Sequence, residues 1–194
     1  MASCLFDTSS YEPSPASTSA TMDLHFRLAT QEDADSIQQH IQAAFRAEDP
    51  RPNWVGSAEL AAKFRMDVEP VLRCISASDS NILMAIDHAG TLVGTVMMSK
   101  RAPNSARLAM LAVDQRHSRA GIGRRLLQHA EQHCQNTWDV TRIELDVLSD
   151  RPELLEWYLR RGFTKTGAVV PFPEHLKEGL ELPNLGCIEL EKYL

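Results

Sequence analysis

Cysteine is scarce and scattered in this chain. Cys4, Cys74, Cys134 and Cys187 form no Cys-x-x-Cys pair and stand at no metal-ligand spacing from a histidine. That pattern argues against a disulfide framework or a zinc site, and for reduced thiols in a cytoplasmic protein. No apolar run approaches the roughly 20 residues that cross a bilayer, so no membrane partner is expected. A basic excess is missing too. With 26 acidic against 20 basic residues and a net charge of -6, general affinity for nucleic acid is excluded. No Lys or Arg precedes Arg27, and residues 1–22 are dominated by Ser, Thr, Ala and Pro. They lack the basic start and apolar centre of a secretory signal and the arginines of a mitochondrial presequence. They read as a disordered tail, with Met22 a candidate second start and residues 23–194 as one folded domain of ordinary size.

What is present alternates between strand and helix patterns. Residues 24–28 alternate like a strand, and Thr30 is placed to cap a helix with apolar positions Ala34, Ile37, Ile41, Ala44 and Phe45. Glu32 and Asp33 stand in its first turn, where the helix dipole favours acids. A second helical region falls within residues 57–77, expected to break near Pro70. Residues 81–87 and 91–100 read as a hairpin around His88, Ala89 and Gly90, and residues 105–113 as another strand. Ile122, Leu126, Leu127, Ala130 and Cys134 make the buried stripe of a helix. Residues 141–147 form a strand, followed by a helix with Asp150 as its expected cap, Pro152 in its first turn, Glu153 completing a capping box, and Arg160, Arg161 and Gly162 marking its end. Residues 163–169 and 187–193 supply two last strands. The whole is mixed α/β with a central sheet.

The most informative segment is the turn between residues 108–113 and the helix that starts at Ile122. The first N–H groups of a helix have no internal partners and carry about half a positive charge. Gly121 and Gly123 remove side chains that would hold an anion away. Arg116, Arg119, Arg124 and Arg125 crowd the same end, against the dipole's preference, which makes sense if a multiply charged anion compensates them. Two nucleotide fingerprints fail here. A phosphate-cradling loop needs Gly-Lys-Ser or Gly-Lys-Thr, and a dinucleotide fold needs a glycine where Leu126 stands.

Leu111-Ala112-Val113-Asp114, followed by Arg119-Ala120-Gly121-Ile122-Gly123-Arg124, with the later Trp157 to Phe163 segment, Thr166-Gly167 and Pro171 to Pro173, resembles the GCN5-related N-acetyltransferase superfamily. The resemblance covers about residues 23–194. It implies an α/β (α+β) fold with a mostly antiparallel central sheet, splayed central strands and flanking helices. It further implies acetyl-CoA as co-substrate, with no metal. The pyrophosphate would rest on the backbone from Ser118 through Arg124, and pantetheine would lie along Leu111, Ala112 and Val113. Two positions depart from the family pattern: Ser118 replaces a Gln or Arg, and Arg151 stands where an Asn is usual. Weaker side-chain support for the cofactor is expected there.

The chemistry so implied is attack of an amine on a thioester, formation of a tetrahedral oxyanion, and departure of a thiolate. A main-chain N–H near Leu111 is placed to meet the oxyanion. Tyr158, four residues before Gly162, occupies the position of the family's general acid; read from spacing alone it is an aromatic on a helix's buried face beside Leu154. Asp146 resembles the carboxylate that N-terminal acetylating relatives use as base, and Glu144 shares its strand face; both also read as solvated strand residues. His117 could serve as a base, but at the pyrophosphate turn it reads as an anion-contacting or surface group, and His88 in the hairpin turn reads as solvent-exposed. Residues 46–54 and 171–183 are expected to frame the acceptor. Their Glu48, Asp49, Glu174, Glu178 and Glu181 suit a cationic amine or are solvated loop charge. The acceptor is thus a small-molecule amine or a peptide, and the assembly a monomer or homodimer. A coenzyme A binding module without turnover is the alternative.

Overall fold

Four strands, β1 (Leu24–Leu28), β2 (Ser80–Asp87), β3 (Leu92–Arg101) and β4 (Ser105–Val113), run antiparallel each to the next. Three more, β5 (Arg142–Leu148), β6 (Thr164–Pro171) and β7 (Gly186–Tyr193), complete one sheet in the order β1-β2-β3-β4-β5-β7-β6. The structure is a computed structural model describing residues 22–49, 51, 54–101, 103–117, 119–172 and 184–194. The expected mixed, mostly antiparallel sheet flanked by helices is found.

Helices cover both faces. On one lie α1 (Ala34–Arg46), α2 (Ala58–Lys63) and α3 (Val68–Ser76); on the other lie α4 (Ile122–Trp138) and α5 (Pro152–Leu159). Burial on both sides explains why β2 and β3 carry near-continuous buried runs instead of alternation. All five stripe residues of α4 are buried against the sheet. Ile37 and Ile41 of α1 pack with Val71, Ile82 and Ala112 in a second core.

The central strands part. β4 and β5 are the sheet's parallel pair, and they meet only at Ser105–Arg107 against Arg142–Glu144. Beyond that point each continues alone on the facing edge. A bulge accompanies the parting: Met97 pairs with Ala109 but Thr95 with Ala112, three steps on β4 against two on β3, and Met110 takes φ +48°. The extra residue reverses the side-chain parity. Ala106 and Leu108 face α4 before the bulge, and Leu111 and Val113 face it afterwards, while Met110 and Ala112 turn toward α1.

Several local expectations are corrected. The break after residue 57 falls between Lys63 and Val68, not at Pro70, which sits inside the first turn of α3 where no N–H is required. Asp150 does not cap α5, and no side chain does; Arg151 is the N-cap residue, so the box with Glu153 is not formed. Thr30 does form a box, with Asp33, across a 3-10 turn that precedes α1. Residues 1–21, Ser118 and residues 173–183 lie outside the described residues, and with them the tail, Glu174, Glu178 and Glu181. Met22 is described: its carbonyl accepts from Arg125 Nη1 at 2.6 Å and its side chain packs on the core. Cys74, Cys134 and Cys187 are free thiols. Among the described residues no helix is long and apolar enough to cross a membrane, and no group of His, Cys, Asp and Glu is placed to hold a metal.

Candidate active site

A cavity of about 950 Å³ opens where β4 and β5 separate. Its walls are Met110 to Val113 of β4, the start of α4, the inner face of α5 and the segment joining α1 to α2. Of the cofactor residues expected from sequence, Leu111, Ala112, Val113, Arg119, Gly121, Ile122, Gly123, Arg124 and Arg151 line it. Ala120 lies in the turn itself, its N–H donating to the His117 carbonyl at 3.2 Å. Ser118 is outside the described residues.

The anion cradle is built by backbone. Gly121 is the N-cap of α4 at φ +76°, a left-handed conformation that glycine adopts without strain, and nothing lies within 4 Å of where its Cβ would be. No side chain caps the helix. The N–H groups of its first turn thus point into open space with the positive end of the dipole behind them. Gly123 presses the helix start onto the cavity wall, its would-be Cβ 3.5 Å from Trp157 Cζ2.

The four arginines of the turn do not act together. Arg116 is exposed and folded back on Asp114, with Nη2 to Oδ2 at 2.6 Å. Arg125 faces β1, bonded to Met22 and 5.3 Å over the Phe26 ring. Arg119 and Arg124 remain on the cavity, and Arg161, which spacing marked only as a helix end, joins them. The Arg161 guanidinium lies 3.5 Å over the Trp157 ring and donates to the Trp157 carbonyl at 2.6 Å. Its Nε is buried without a partner. Burial first, then the nearby Arg160 and Arg124 charges, hold its pKa below the ordinary guanidinium value. A half-buried cation with an unpartnered Nε, on the same cavity as a helix N-terminus, is the counterpart of a phosphate.

Tyr158 stands between two cationic groups. It is 7% exposed, packed edge-on against Trp157 and Phe163, and it lines the cavity. Its hydroxyl has no hydrogen-bond partner among the described residues. Burial pushes the phenol up to about 12, opposed by the charges of Arg151 on one side and Arg161 on the other. At neutral pH it is therefore a protonated O–H donor.

Asp146 and Glu144 are placed differently. Their neighbours Ile143, Leu145 and Val147 enter the core against α4, so the two acids occupy the opposite face of β5. Asp146 is ion-paired with Arg107, Glu144 with Arg142 at 2.8 Å, and neither lines the cavity. His117 does line it, with Nδ1 buried and 4.0 Å from Asp114 Oδ2. His88 is exposed in the hairpin turn. One unforeseen group touches the parting strand: His40 of α1 places Nε2 3.4 Å from the Ala112 carbonyl, and burial holds its pKa below the ordinary histidine value. Only its helical spacing from Ile37 could have signalled it.

The acceptor-side wall also departs from expectation. Asp49 does not offer a free carboxylate to a cation. Arg51 grips it through backbone N–H at 2.9 Å, Nε at 2.8 Å and Nη2, and the side chain is 3% exposed. Arg51 in turn stacks 3.5 Å over the Trp54 ring. Asp150 and Arg151 reach across to the same segment: Ser57 N–H donates to Asp150 Oδ2 at 2.8 Å, and Arg151 Nε donates to the Trp54 carbonyl at 2.8 Å.

Comparison with known proteins agrees with this geometry. Residues 35–163 match the Acetyltransferase (GNAT) family. No curated protein sequence matches the chain. Among solved structures it is similar to a GNAT-family acetyltransferase of Staphylococcus aureus Mu50, with 17% identity, TM-score 0.65, and 89% of this chain and 99% of that one covered. It is also similar to PaiA N-acetyltransferase of Thermoplasma acidophilum in complex with coenzyme A, at 20%, 0.63, and 89% and 100%. A third is spermidine N-acetyltransferase of Vibrio cholerae in complex with CoA and spermine, at 16%, 0.62, and 88% and 95%. At these identities the structural likeness establishes the fold.

Proposed function

The chain belongs to the GNAT acetyltransferase family and is an acyl-CoA-dependent N-acetyltransferase, and on that premise we propose that it moves the acetyl group of acetyl-CoA directly to the amine of a small molecule or peptide. One observation carries the reading. A single cavity joins the free N–H groups and arginines at the start of α4 to the gap between β4 and β5 and then to the Tyr158 hydroxyl. That is the layout needed by a ligand with a phosphorylated end and a thioester end. Similar structures solved with coenzyme A support it.

In this reading Arg119, Arg124 and Arg161 neutralise the phosphates beside the α4 backbone. Leu111 and Val113 give the connecting arm an apolar wall, and the strand edge freed by the parting of β4 from β5 presents unpaired N–H groups to a developing oxyanion. Tyr158 protonates the leaving thiolate, which a phenol held neutral by burial is suited to do. We assign removal of the amine proton to water in the cavity, because Asp146 and Glu144 are held by arginines outside it. Arg151, expected to touch the cofactor, is assigned instead to the acceptor side, where it meets Trp54.

The test is a thermal shift paired with a free-thiol assay over an amine panel. Acetyl-CoA at a hundred times its Kd contributes about 2.7 kcal/mol to stability. Gly121→Glu should abolish the shift by placing a carboxylate in the open space at Gly121, whereas Gly121→Ala, which carries the same backbone strain without the charge, should keep it. A shift that survives Gly121→Glu places the anion elsewhere. Binding without thiol release for every amine would indicate a binding module.

A further inference from the structure

The acceptor end of the cavity holds a cation that no carboxylate among the described residues hydrogen-bonds. Arg151 lines it, and among the described residues the one hydrogen bond from its guanidinium goes through Nε to the Trp54 carbonyl. The two acids whose charges act on it, Asp150 and Asp49, do not hydrogen-bond it: Asp150 Oδ2 accepts from Ser57 while Oδ1 has no partner, and Asp49 is clasped by Arg51. Burial depresses the Arg151 pKa, and the positive charge of Arg51 adds to that. The same cavity offers apolar and aromatic surface from Trp54, Leu148, Leu154 and Phe172. A guanidinium whose Nη groups are unpaired in such surroundings is built for bidentate pairing with a planar anion.

We infer that the acceptor amine carries a carboxylate, that Arg151 binds it, and that the substrate class is an amino acid with an apolar or aromatic side chain. The inference rests on the acetyl-transfer reading above and names the acceptor for that same site. A polycation is disfavoured on the same grounds, since Arg51 and Arg151 would repel it and Asp49 has no free oxygen face to offer.

The experiment compares kcat/KM for phenylalanine and leucine with their amides, their decarboxylated amines and spermidine, following thiol release from acetyl-CoA. The amino acids should be preferred by about tenfold or more, the scale of one charge-assisted pair. Amine basicity works against that order for the amides, whose amines are more readily neutral, so the preference would report recognition of the carboxylate. Arg151→Met should collapse the preference by raising KM for the amino acids while leaving the amides within a few-fold; Arg151→Lys should retain part of it. Equal loss for all acceptors, a rise confined to the acetyl-CoA KM, or a preference for spermidine or the decarboxylated amines overturns the inference. If Arg151→Met does not fold, the order of acceptors on the wild-type protein decides. Stabilisation by acetyl-CoA without transfer to any of these acceptors overturns the acceptor class alone. Absence of acetyl-CoA binding overturns the underlying reading.

Discussion

A Cβ placed on Gly56 would lie 2.7 Å from both carboxylate oxygens of Asp150, a residue 94 positions later that holds the Ser57 N–H. The segment joining α1 to α2 is thus locked to the β5–α5 turn through a contact that tolerates only glycine, at φ +78°. Asp150 Oδ1 is buried without a partner, and Oδ2 is held by the Ser57 N–H. Gly56→Ala should cost about 1–2 kcal/mol from backbone strain alone, or roughly 2–8 °C in Tm for a chain of this size. Hydrogen exchange at the Ser57 amide should quicken in the same variant and in Asp150→Ala. Unchanged protection in both would show that the segment is held by something else.

Tyr158→Phe keeps the ring packing against Trp157 and Phe163 and removes only the proton donor. kcat should fall by about a hundredfold under chemistry-limited conditions, within the usual range for a general acid, while the Kd for acetyl-CoA stays within a few-fold. A variant that turns over at the wild-type rate assigns the proton to water.

Asp146→Asn should lower Tm modestly through loss of the Arg107 pair, which is partly exposed. Its kcat should stay within about tenfold of wild type, with no change in the shape of the pH-rate profile. A loss that is largest near neutral pH and recovers toward the pKa of the amine would instead make Asp146 the base.

Stability should fall at both ends of the pH range for identifiable reasons. Hydrogen bonds from Arg27 and from Thr30 hold the Asp33 carboxyl well below the usual carboxylate range, and Arg51 does the same to Asp49. A depressed folded-state pKa means stabilisation that is present above the unfolded value near 3.9 and drains away as pH drops below it. Asp33→Asn should flatten that acid limb in thermal melts. Tyr158 has the opposite sign: its folded pKa is raised to about 12, so stability is full below about 10 and is lost as pH rises from there. Tyr158→Phe should soften the alkaline limb, and an identical limb in the variant would show that the phenol does not ionise on unfolding there.

Local chemistry in the sequence determined much of this protein. The period of α4, with five buried residues at helical spacing, and the Gly121 turn depend on neighbours within a few residues, and both are present as their patterns implied, while Thr30 caps a 3-10 turn ahead of α1 and not α1 itself. The fold class follows from those elements, and the family resemblance rests on the same short segments. What the tertiary structure alone decided is where charges find partners. Asp150 reads as a helix cap by position, yet it serves a residue 93 positions away because α2 is packed against that turn. Arg116 and Arg125 sit in the same cationic cluster as Arg119 and Arg124 along the chain, but Asp114 and the Met22 carbonyl draw them off the cavity. Asp49 looks like an acceptor-binding acid until Arg51 closes on it, and Arg161 looks like a helix terminator until Trp157 holds it over the cradle. At the bulge at Met110 the residues of β4 that face α4 switch from even to odd numbers, and the consequence depended on β5 running alongside for only three residues. Hydrophobic period is a property of one segment, whereas pairing of charges and parting of strands are properties of two segments brought together by the fold.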